Sequence, residues 1–86
     1  MASIQEVVNA AWRIKSSAEQ VKSRSSTCAE NLGRHSNQLA AVVRGSRTGE
    51  VAVQQVTLAQ RAVATSAAKL GALISATDGF VADLTK

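Results

Sequence analysis

Residues capable of chemistry are few in this chain, and their spacing works against it. The 86 residues include one cysteine, Cys28, and one histidine, His35. A nucleophile and its base must lie within hydrogen-bond reach of each other. Seven residues apart on a helix, these two stand about 10 Å from each other. Cys28 therefore reads as a small buried residue, and His35 as a partly buried one. A lone cysteine makes no internal disulfide, and no further Cys or His stands at metal-ligand spacing. Glu6, Glu19 and Glu30 are isolated from one another, with no pocket expected to pair them. The run Gly45-Ser46-Arg47-Thr48-Gly49 lacks the Gly-Lys-Ser/Thr core and the preceding strand of a phosphate loop. No catalytic, cofactor-binding or metal-binding residue is expected, and the chain reads as a non-enzyme.

The net charge is +4, and all of the excess lies on residues 1–47. There Arg13, Lys15, Lys22, Arg24, Arg34, Arg44 and Arg47 stand against Glu6, Glu19 and Glu30. These bases fall at many helical positions, form no single stripe and have no aromatic residues interleaved for base stacking. They read as solvated charge, with an acidic protein partner or a weak phosphate contact as lesser alternatives. Charges break every apolar run well before about 18 residues, so no membrane insertion is expected. The opening Met1-Ala2-Ser3-Ile4-Gln5-Glu6 has neither the basic start nor the apolar stretch of a signal peptide.

Chemistry aside, the chain is rich in helix-forming pattern. Hydrophobic residues make up 45% and proline is absent, which favours long uninterrupted helices in one domain spanning 1–86. Steps of three and four from Ile4 run through Val7, Ala11, Ile14, Ala18, Val21, Ser25, Cys28, Leu32, His35, Leu39 and Val42, a heptad seam. Ser3 and Glu6 have capping-box spacing, so the first helix is expected over about 4–43. Gly45 suits the left-handed residue after a helix end. Ser46 or Thr48 can cap the next helix, with Glu50 in its first turn. A second seam follows through Ala52, Val56, Ala59, Val63, Ser66, Leu70, Leu73, Thr77, Phe80 and Leu84. The second helix is expected over about 49–84, continuing through Gly71 and Asp78-Gly79 as the first continues through Gly33. The short loop makes the fold an all-α antiparallel two-helix hairpin.

That hairpin has apolar residues to spare. Val53, Ala67, Ile74 and Val81 recur beside the second seam, and Val51, Leu58 and Ala72 lie further round. Either this wide stripe wraps the first helix, or it receives a third and fourth helix from a partner or a second copy. Trp12 falls off the seam. It can fold over Phe80 or Val81 at the open end, or project to a partner as a binding anchor. The candidate partner interface is therefore Trp12, Val53, Leu58, Ala67, Ile74 and Val81.

A short helical hairpin with a Gly-containing turn and an aromatic–acid pair near its C-terminus resembles the WXG-type family of small type VII secretion proteins. The Gly45-Ser46-Arg47-Thr48-Gly49-Glu50 turn, followed by a Val/Ala/Gln-rich helix, is similar to the subgroup that lacks the Trp-x-Gly turn and is encoded beside LXG toxins. The family's export signal is an aromatic residue with an acid four positions on. Here Phe80-Val81-Ala82-Asp83 has a spacing of three, which also puts both side chains on one helix face. The resemblance implies an adaptor or chaperone that binds the helical N-terminal domain of a toxin and promotes its export. It implies Phe80 and Asp83 as the export signal, a Gram-positive source, and a cytoplasmic protein that is itself co-secreted in some cases. The rival expectation from the residues is a homodimeric four-helix bundle with no export role. A weak nucleic-acid-associated basic protein is a third.

Overall fold

A computed structural model describes residues 3–86 of the chain. Met1 and Ala2, which open the segment read above for a signal peptide, lie outside the described residues. Two helices account for nearly all of the rest: α1, Ile4–Val42, and α2, Arg47–Leu84. They pack side by side as an antiparallel hairpin, a rod of 63 × 19 × 14 Å.

The helix ends follow from capping. Ser3 is extended and its hydroxyl accepts from the Glu6 N–H at 3.1 Å, which starts α1. Val43 closes α1 by donating its N–H to the Leu39 carbonyl. Gly45 then takes a left-handed φ of 86°, the conformation that a Cβ disfavours. Ser46, not Thr48, caps α2, accepting from the Gly49 N–H at 3.1 Å. The second helix consequently begins at Arg47, two residues earlier than the sequence suggests. Both helices run unbroken through Gly33, Gly71 and Asp78-Gly79.

The interface between them is thin. Val8, Ala11, Ala18, Ala29 and Ser36 of α1 and Ala67 and Val81 of α2 are buried. Most of these are small, which lets the backbones approach closely while burying little area. Val8, Ala11 and Val81 form the one compact cluster, with Leu84 packed against it at the open end.

The expected seams need correction. One row of each holds: Ala11, Ala18, Ser25, Leu32 and Leu39 on α1, and Val56, Val63, Leu70, Thr77 and Leu84 on α2, are buried or half-buried. The other row is shifted by one residue in both helices. On α1 the interface uses Val8, Lys15, Ala29 and Ser36, with Val43 just past its end, in place of Ile14, Val21, Cys28, His35 and Val42, while Val7 stays half-buried. On α2 it uses Val53, Gln60, Ala67, Ile74 and Val81 in place of Ala52, Ala59, Ser66, Leu73 and Phe80. Each helix is thus rotated by roughly 50° from the expected facing. Cys28 and His35, expected to be buried and half-buried, are both exposed.

Candidate functional site

The rotation gives the hairpin two unlike flanks. One is polar and closed by side chains reaching between the helices. Lys15 Nζ lies 2.7 Å from an Asp78 carboxylate oxygen and 3.8 Å from Glu19. The same ammonium sits 4.8 Å from the centre of the Trp12 ring, within cation–π range. Further along, Lys22 crosses Gly71 and Gln60 crosses Gly33, where a methyl would meet their nitrogens at 3.1 Å and 2.8 Å. Ser36 and Thr57 hydroxyls meet at 3.1 Å. Thr57 also donates to the Val53 carbonyl at 3.0 Å. With its one proton committed there, Thr57 accepts from Ser36.

The other flank is apolar and open. Val7, Ala10, Ala11 and Ile14 of α1 meet Ala76, Thr77 and Phe80 of α2 around one hollow. Ile14 continues into the next, lined with Ala18 and Val21 and, from α2, Leu70 and Leu73. Arg13 and Ser17 edge this second hollow. A third, on α1 alone, holds Cys28, Leu32 and His35, with Arg24 beside them. The first two hollows form one shallow groove along the boundary of the two helices, and the third continues its apolar line along α1. Its large apolar side chains are half in water: Ile14 is 55% exposed, Phe80 49% and Leu73 44%. A burial of this kind leaves apolar area unmatched by any element of the chain. The whole chain exposes 6233 Å², against roughly 4,800 Å² expected of a compact 8.9 kDa monomer.

The expected interface residues are distributed differently. Ala67 and Val81 are buried against α1, and Val53 and Ile74, on the same row, are half-buried. This stripe faces the inside of the hairpin and is not an open surface. The stripe did wrap the first helix, and the uncovered row is the one a residue earlier. Leu58 is exposed beside Arg61, on the side of α2 away from the groove. Trp12 is exposed on the polar flank, under Lys15, and does not line the hollow that holds Phe80. Phe80 and Asp83 both face solvent one turn apart, with Asp83 3.4 Å from the Lys86 ammonium. Val7, Ile14, Val21 and Leu73 line the groove although their spacing equally fits a seam.

Among the described residues no three His, Cys, Asp or Glu side chains gather as metal ligands, and no helix is long and apolar enough to cross a membrane. No protein-family model, curated protein or solved structure matches the chain.

Proposed function

We propose that the chain is a non-enzymatic helical adaptor, and that its working surface is the apolar groove between α1 and α2. One observation carries this reading. Ile14, Leu73 and Phe80, contributed by both helices, stand half-exposed along a common line while small residues fill the hairpin interface. A groove between paired helices suits a further helix, laid in with anchors every three or four residues. Together with the resemblance to LXG-associated type VII proteins, this favours the helical N-terminal domain of a toxin as the partner and toxin export as the role. Phe80 then serves twice, closing the groove's end and forming the signal face with Asp83.

Co-expression with the helical domain of a toxin encoded beside it tests the reading. The two proteins are expected to co-purify, Leu73→Glu to abolish the complex, and deletion of the gene to lower toxin export. No complex and unchanged export would defeat it. The groove's exposed area also suits a homodimeric four-helix bundle, in which case sedimentation gives twice the chain mass and no toxin domain displaces the second copy.

A further inference from the structure

We infer that the groove's occupant is an amphipathic helix of another protein whose apolar ridge is bordered by Asp and Glu, an inference that rests on the adaptor reading above. The argument is one of charge around an apolar line. Arg13 edges the hollow containing Ile14, Val21 and Leu73. Arg24 edges the next, beside Cys28 and Leu32. Among the described residues neither arginine has an ion-pair partner, while Glu19, Asp78 and Asp83 are already engaged by lysines. On that rim of α1 the acids are Glu6, one heptad before Arg13, and Glu30, one heptad after Ser23 of the third hollow, against Arg13, Arg24 and Arg34. On the α2 rim, Lys69 shares the row of Ala76, which lines the groove, and the acid on that row, Asp83, is the one already paired with Lys86. The groove is therefore apolar along its floor and net positive along one edge.

A second copy matches this edge poorly. A two-fold contact places each surface against itself or against the other half of the same patch. It would bring Arg13 and Arg24 either to the same arginines or to an α2 rim that carries Lys69 and whose acid, Asp83, is already paired with Lys86. A partner helix with acids beside its ridge meets both arginines and leaves no like charges facing, which gives orientation and discrimination as well as attraction. A lipid surface takes up a convex apolar face, whereas this floor is recessed between two helices. From Val7 to Val21 the groove spans about 20 Å, and the third hollow carries the apolar line on to Cys28, room in all for about 20 residues of helix.

Two designed helical peptides with one Leu/Ala ridge test this, one with Glu at every position beside the ridge and one with Lys. Binding to the full chain is read by fluorescence anisotropy. The Glu peptide is expected to bind about tenfold more tightly, and to weaken toward the Lys peptide in about 1 M salt. Arg13→Glu/Arg24→Glu, at exposed positions that leave the helical circular dichroism unchanged, reverses the preference. Equal binding of both peptides overturns the acidic rim but leaves a helical partner in place. Binding of neither overturns the groove as a helix site and the adaptor reading with it. A dimer by sedimentation that Leu73→Glu dissociates assigns the groove to a second copy. Phosphatidylserine vesicle binding lost in that variant assigns it to lipid. Either of those results overturns the inference.

Discussion

Lys15 touches three groups at once, and the hairpin's open end is held together partly through it. Its hydrogen bond to Asp78, opposed by partial burial and aided by the charges of Asp78 and Glu19, raises it above the ordinary lysine value of 10.5. A group whose pKa is raised on folding stabilises the fold below its unfolded value. That contribution is lost as the pH climbs through the folded value. As the pH rises above 10.5, the melting temperature is therefore expected to fall more steeply in the native protein than in Asp78→Asn. Thermal melts followed by circular dichroism across that range check it. The turn offers a second test at this scale. Gly45 has open space around it but a φ of 86°, so Gly45→Ala is expected to cost about 1 kcal/mol. At Gly49 an added methyl overlaps the Val43 Cβ. That branch point cannot swing away, and the overlap outweighs alanine's helix preference. Urea unfolding is expected to show Gly49→Ala as the worse of the two, by about 1–3 kcal/mol in all. Gly45 was legible from its place after a helix end. The Gly49–Val43 approach was not, because it depends on how the turn brings two helix ends together.

At the scale of the helix, the pattern showed where elements begin and end better than which way they face. The caps Ser3 and Ser46 and the glycine turn bounded both helices to within two residues. The facing was missed for a physical reason. Three adjacent rows of α1 carry apolar or small residues, and a hairpin covers only two of them. Periodicity selects the row richest in large side chains, that of Ile14 and Val21, beside the row of Ala11 and Ala18. The fold keeps Ala11 and Ala18 and pairs them with the row of Ala29 and Ser36, which permits close approach, and polar pairs complete that row. Ser36 and Thr57 mark the register of that pairing. Thr57→Val removes the acceptor of the buried Ser36 hydroxyl and is expected to cost about 1 kcal/mol. Adding Ser36→Ala removes the orphaned group, so the double variant recovers most of the loss. A double-mutant cycle in urea measures this coupling. Additive losses would mean that the hydroxyls do not act as a pair.

For the whole molecule, stability and binding are assigned to different sides of the same rod. The buried set is short and its one compact cluster, Val8, Ala11 and Val81, sits at the open end. The larger apolar side chains Ile14, Leu73 and Phe80 stand on the open flank. A sequence scan weighs both sets alike, since burial within the hairpin and burial against a partner select the same residue types. Only the rotation of the helices separates them. The separation predicts opposite outcomes for two kinds of change. Val81→Ala, 7% exposed in the native chain, is expected to lose about 1–2 kcal/mol of stability. It should leave the groove's shape, and hence affinity for a helical partner, nearly intact once the folded fraction is counted. Ile14→Glu/Leu73→Glu puts charge where the chain already meets water. It is expected to move the urea midpoint little or raise it while abolishing the complex, because a carboxylate enclosed under a partner helix lacks its hydration. Measuring both quantities on both variants separates an adaptor surface from an exposed part of the fold. If the glutamate pair unfolds the isolated chain, the open flank belongs to the hairpin's own stability and the groove loses its standing as a binding site.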